Sequence, residues 1–162
     1  MEAKIQALIN EQITKEFHSA YLYLGISEYF AKQNLNGFAA WYTEQAKEEQ
    51  EHALKFYSYL ISNGYDVVLG TIDAVTGSYA SPLEAVKAAD KHEHYITDEI
   101  TKIYALAEET KDYRTKLFLD WFIKEQEEEE QNSADMVAKV ELLGTNPTNL
   151  YLLDKELAGR KG

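Results

Sequence analysis

The sequence predicts an all-α fold, a four-helix bundle with one long crossover and a short fifth helix. Three observations carry that expectation. The two prolines and eight glycines of the 162 residues are clustered, leaving four long stretches almost free of both. Each stretch repeats apolar residues at alternating steps of three and four, the period of a helix with one buried face. One connection, residues 64–81, is far longer than a turn between neighbouring helices needs to be.

The first helix is expected over 2–33, and Asn34 and Asn36 mark its turn into a second helix over 36–63. The third starts at Ser81-Pro82-x-Glu84, with Ser81 as N-cap, Pro82 in the first turn and Glu84 closing a capping box, and runs over 82–110. Asp112 caps a fourth helix over 113–143, which Gly144 ends. After Asn146-Pro147, the stretch NLYLLDKEL reads as a fifth helix over 147–158, so residues 1–162 form one domain. The second helix is roughly 40 Å long at 1.5 Å per residue. The long connection can stretch to roughly 60 Å, enough to return along the whole bundle. The third helix then points the same way as the second, while the short turns give antiparallel neighbours.

Hydrophobic residues make up 45% of the chain, enough for a core, and the formal net charge is −12. That field repels phosphates, so no nucleic-acid partner is expected, and it attracts cations. With no cysteine, disulfides, thiolate metal sites and cysteine nucleophiles are excluded. The stretch MEAKIQALINEQ lacks the apolar core of a signal peptide, and no stretch approaches the roughly 18 apolar residues of a membrane span. A cytoplasmic protein without a membrane partner is the expectation.

The buried stripes share one peculiarity. They run Ile5, Ile9, Gln12, Glu16, Ser19, Tyr23, Ile26, Phe30 in the first helix and Phe38, Tyr42, Gln45, Glu49, His52, Phe56, Tyr59 in the second. The third stripe is Val86, Ala89, Glu93, Ile96, Ile100, Ile103, Ala107. The fourth is Phe118, Phe122, Glu125 or Gln126, Glu129, Asn132, Met136, Val140, Leu143. Each carries a carboxylate near its middle. Buried carboxylates without a counter-charge cost several kcal/mol each. Lys47, Lys91 and Lys124 are near in sequence but off the stripes, so a bound cation is the natural partner. The run KEQEEEEQ at 124–131 then divides: Glu125 and Glu129 turn inward, and Glu127 and Glu130 face solvent.

Glu49-x-x-His52 sets a carboxylate and an imidazole one turn apart, and Glu16 and Glu93 add one carboxylate each from other helices. A di-iron bundle uses a single Glu from two helices and Glu-x-x-His from the other two, which is close to this set. Oxygen ligands with one imidazole suit iron or manganese; zinc is compatible, and calcium fits the histidine less well.

With these residues in view, the chain resembles a bacterial non-haem ferritin, a ferritin-like di-iron protein, over essentially its whole length. The likeness lies in NEQITKEFHSAYLY, AKEEQEHALKFYSYL, KHEHYIT, FLDWFIKEQEEEE and NLYLLDKELA. The resemblance implies a first iron position at Glu16, Glu49 and His52, and a second at Glu49, Glu93 and Glu129, with Gln126 beside the pair. It implies a third iron site at Glu48, Glu125, Glu128 and Glu129, and electron transfer through Tyr23 and Trp121. It also implies ferroxidase activity, oxidation of Fe(II) by O2 or H2O2, and storage of Fe(III) as mineral in a hollow homo-oligomeric shell of 24 subunits. Iron is thus substrate and cargo.

Three departures shape the expectation. Where bacterioferritins repeat Glu-x-x-His on the fourth helix, this chain has Gln126 and Glu129, so the second metal should be held more loosely. The one internal methionine, Met136, is not on the second helix, so haem is not expected. Rubrerythrins need a cysteine-bound iron, which this chain cannot supply. Starvation-type mini-ferritins place their site between subunits. A stable di-iron oxidase would keep its metal through purification, and a bundle with structural cations would melt on chelation. His18, His92 and His94 lie off the stripes and are expected at the surface or an interface. Leu150, Tyr151, Leu153 and Leu157 of the fifth helix are expected to need a surface beyond the bundle.

Overall fold

In the computed structural model, which describes residues 1–160, the helices are α1 (Ala3–Lys32), α2 (Asn36–Ser62), α3 (Pro82–Glu109), α4 (Tyr113–Leu143) and α5 (Pro147–Leu157). No strand occurs among the described residues. The caps follow local chemistry. Ser81 Oγ accepts the N–H of Glu84, and Asp112 accepts both the N–H and the hydroxyl of Thr115. Asn34 turns α1 into α2 with a left-handed backbone, φ 61°. Gly144 ends α4 differently from a left-handed cap. Its φ is −74°, and its N–H donates to the carbonyl of Val140 at 2.7 Å. A Cβ there would run into that carbonyl, so this glycine is needed for close approach.

α1 packs on α2, α3 on α4 and α1 on α3, while α5 closes one end against α2 and α4. The long connection runs back along α1. Asn10 donates to the carbonyl of Asp66 and accepts the N–H of Val68, and Gly25 lets the carbonyl of Thr76 pass close by. The connection therefore returns the chain along the whole bundle, which sets α3 parallel to α2. At the closed end, Asp154 of α5 accepts the N–H of Phe38 at 2.8 Å, capping α2 from a distant part of the chain.

Apolar packing splits into two clusters. One, at the α5 end, holds Tyr23, Ile26, Phe30, Phe38, Tyr42, Val86, Met136 and Val140; Leu153 and Leu157 belong to it. The other, at the far end, holds Ile5, Ile9, Ile13, Phe56, Leu60, Ile96, Ile100, Leu119 and Phe122. Between them lies a buried polar layer of Gln12, Glu16, Ser19, Gln45, Glu49, His52, Glu93, Gln126 and Glu129.

Several expectations need correction. Leu153 and Leu157 pack on their own bundle and Leu150 lies against it, leaving Tyr151 and also Leu152 open. The fifth helix thus satisfies part of its apolar face within the chain. On α4, Asn132 is exposed, because the stripe runs from Glu129 to Met136 through the partly buried Ser133. Gln126, not Glu125, takes the fully buried position. Glu130 does not simply face water. It accepts the Thr97 hydroxyl and pairs with His94 at 2.6 Å. His92 is half-buried, with Nε2 2.6 Å from the Ser19 hydroxyl; burial, reinforced by His18, pushes it down to about 4.

Candidate metal centre

The polar layer brings its acids together rather than spreading them. Ligand atoms of Glu16, Glu49 and His52 lie within 4.8 Å of one another, as do those of Glu49, Glu93 and Glu129. Glu49 belongs to both groups, so the two groups share one carboxylate. A third group joins His52 and Glu129 to Glu125, whose Oε1 lies 3.9 Å from His52 Nε2. Helical geometry explains the convergence. Each acid sits where its stripe crosses mid-bundle, and Glu49 and His52 are one turn apart on α2.

The surroundings of each acid differ. Gln12 donates to Glu16 Oε1 at 2.9 Å, but Glu16 Oε2 is fully buried with no hydrogen-bond partner, 3.8 Å from His52 Nδ1. An orphaned buried carboxylate oxygen is costly, and this one belongs to a residue grouped with Glu49 and His52. Glu93 accepts from the Tyr23 hydroxyl and from Gln126 Nε2 at 3.1 Å. Glu129 Oε2 accepts from Gln45 Nε2 at 2.5 Å, and the same amide lies 3.5 Å from Glu49 Oε1.

These contacts set the charges. Burial pushes Glu16 upward, but His52, Glu49 and Gln12 outweigh it and hold the carboxyl below its usual range. Burial would lower His52, yet Glu16 and Glu49 raise it to about 11. Burial raises Glu49 well above the carboxylate range; it takes Glu93 to about 7, and takes Glu129, with Glu93 and Glu48 nearby, to about 9. Burial thus favours the protonated form of Glu49, Glu93 and Glu129, while His52 and Glu16 favour opposite charges. A bound cation would replace those protons.

A ferritin-like domain profile matches residues 6–143. The chain belongs to the ferritin family. It is 36% identical to a bacterial non-heme ferritin of Staphylococcus epidermidis over 160 residues, covering 99% of this chain and 96% of that protein. A bacterial non-heme ferritin of Bacteroides fragilis is 34% identical over 157 residues, 97% of this chain and 98% of its own length. Among solved structures, an open pore ferritin from the hyperthermophilic archaeon Archaeoglobus fulgidus superposes with a TM-score of 0.98 at 36% identity, covering 99% of both chains.

Within this ferritin, Glu16, Glu49, His52, Glu93 and Glu129 meet at one centre, with Tyr23 and Gln126 in contact with Glu93. Trp121 is partly exposed, its ring edge-on to His52 at 5.5 Å, with the Lys55 ammonium 3.4 Å above it. Of the set expected for a third iron, Glu125 and Glu129 are brought together, beside His52. Among the described residues, Glu48 and Glu128 join no group as tight as those above, and Glu48 is paired with Arg160 at 3.0 Å. Sequence reasoning gave Gln12 and Gln45 no role. The signal was there: Gln12 precedes Glu16, and Gln45 precedes Glu49, by the same four residues. An amide one turn before a buried carboxylate is placed to donate to it.

Proposed function

We propose that this protein stores iron and is a ferroxidase, oxidising Fe(II) at a dinuclear centre within each subunit. The observation that carries the reading is the sharing of Glu49 between two groups of three ligands. One carboxylate common to two positions holds two metal ions close together. The names of the relatives support iron as the metal. The donor set of carboxylates with one imidazole agrees with it.

In this reading Glu16, Glu49 and His52 bind one ferrous ion, and Glu49, Glu93 and Glu129 bind the other. Each ion gives up one electron. Oxygen takes both with two protons and leaves as hydrogen peroxide; peroxide as oxidant takes both with two protons and leaves as two waters. Two adjacent irons spare the one-electron step to superoxide. The carboxylates favour the more highly charged ferric product. Protons held by His52, Glu49, Glu93 and Glu129 leave as the metal binds, and the two protons taken up with oxygen are drawn from solvent. Gln126 and Tyr23 hold Glu93 in place. Glu125, near His52, is where ferric ion would next be received; Glu48 and Glu128 would complete that third position. The acidic surface draws ferrous ion inward.

The mineral needs an enclosure, and the shell of 24 identical subunits is carried over from the family. Tyr151, Leu152, Leu117 and Leu142 remain exposed on the single chain and are candidates for subunit contact. Oxidation of two ferrous ions per subunit, followed by stopped-flow absorbance, tests the reading. Fast oxidation that saturates at two ions supports it, and oxidation no faster than in buffer removes it.

A further inference from the structure

Outside the ligands, a positive side chain from the far end of the sequence reaches the polar layer. Arg160 follows α5 and folds back onto α2. Its guanidinium donates to the main-chain oxygen of Trp41 at 3.0 Å, to Gln45 Oε1 at 3.2 Å and to Glu48 Oε1 at 3.0 Å. It also stacks on the Trp41 ring, 4.3 Å from the centroid. Its side chain is only 15% exposed.

The consequence lies one residue further in. Arginine offers only donors. Gln45 sits between Arg160 and the acids. Its oxygen must face Arg160, which turns its nitrogen toward Glu129 and Glu49. An amide with no such neighbour could turn either way. Trp41 and Gln45, both touched by Arg160, also line a cavity of about 20 Å³ with Tyr23, Glu93 and Glu129, space for about one water.

We propose that Arg160 is a positioning residue that weakens the second metal position: by fixing Gln45, it makes the amide nitrogen compete with the metal ion for Glu129. The proposal rests on the dinuclear reading above. In the same contact Arg160 neutralises Glu48, a carboxylate expected at the third iron site. Freed from Arg160, Gln45 can turn its oxygen toward the centre and become a ligand instead of a competitor. A loosely held second ion suits a centre that passes its product on rather than retaining it. Nothing in the sequence near the ligands announces this, because Arg160 lies 112 residues from Glu48.

The test uses Co(II), which is not oxidised under these conditions, titrated into metal-free wild type and Arg160→Ala and followed by visible absorbance and calorimetry. In Arg160→Ala the second binding step should tighten about tenfold, as expected for a partner that orients a ligand, and the first should move less than twofold. The melting temperature of the metal-free protein reports on any purely structural role. If Arg160 only anchored the end of the chain, that temperature would fall and both steps would weaken together, which overturns the proposal. In a Gln45→Leu background, Arg160→Ala should change the second step less than twofold, and a full tenfold change there would also overturn it. A second step that does not move in Arg160→Ala refutes the role of Arg160 alone. A wild type that binds a single cobalt ion per subunit refutes the dinuclear reading, and the proposal with it.

Discussion

Toward α1, Glu16 and Glu49 face an imidazole; toward α3 and α4, Glu93 and Glu129 face amides and a phenol. The first half contains an ion pair. His52 is driven to about 11 and Glu16 is held below its usual range. In the second half burial favours the protonated carboxyls, with Glu93 raised to about 7 and Glu129 to about 9. The first half also has the unsatisfied oxygen of Glu16, whereas both acids of the second are hydrogen-bonded. The same problem, acids in a bundle core, thus has two solutions side by side. The contrast implies unequal binding: a cation in the first half satisfies an orphan but must displace the His52 proton, while one in the second must displace carboxyl protons and an amide.

The largest effect should come from the residue that erases the distinction. Glu49→Ala removes the carboxylate common to both halves and should slow ferrous oxidation about a hundredfold or more, because the ions are no longer held in reach of one another. His52→Ala should cost nearly as much. Stopped-flow rates at two irons per subunit give the comparison. Circular dichroism should show both variants folded, and near wild-type rates would mean that the centre is misassigned. Glu129→Ala breaks only the second half. It should leave tight binding of one Co(II) per subunit, remove the second step in calorimetry and slow oxidation by about tenfold.

This contrast was only partly legible in the sequence. The five helices, the crossover and the mid-stripe acids follow from periodicity and from proline and glycine placement, which are local. Glu16, Glu49, His52, Glu93 and Glu129 could be named because each stripe crosses the bundle at one depth. Position on a stripe does not say how an acid is satisfied. Gln45 and Gln12 read as ordinary polar stripe members until their amides are seen against Glu129 and Glu16. Arg160 and the Asp154 cap on α2 depend on where α5 lands, which no local pattern encodes. Asn132 and Glu130 show the opposite error, where a small rotation of α4 decides which side is dry.

A pH series should sharpen the difference between the halves. Glu129 and His52 both bind protons more tightly folded than unfolded, at about 9 against 4.5 and about 11 against 6.5. A raised folded value gives stability that is complete below the unfolded value and lost as pH rises through the folded one. Glu16, lowered from 4.5, varies only in acid, and the depressed His92 has finished its change by pH 7. Between pH 7 and 9 the metal-free protein should therefore lose stability, by roughly 10 °C in melting temperature. Saturating Co(II) should flatten that slope, since bound carboxylates have already given up their protons. A flat profile in the metal-free protein would mean that neither Glu129 nor His52 binds its proton more tightly in the folded chain.

The smallest effect should come from the outer acids. Replacing Glu125 and Glu128 together by alanine should spare the first fast oxidation of two irons. It should change the iron-to-oxygen ratio or slow recovery of the centre for a second round. Loss of the first phase would place these glutamates in the primary centre, and no change at all would make the acidic run a solvated face.

The central claim is that two ions share Glu49 in unequal halves. Anaerobic ferrous titration of the metal-free protein, with proton release measured alongside and air admitted at the end, addresses it most directly. The account predicts two irons per subunit in two resolved steps, the second weaker, each favoured by rising pH as His52 and the carboxyls give up protons, followed by rapid joint oxidation once both are present. A single iron per subunit, or two equal steps, would contradict it.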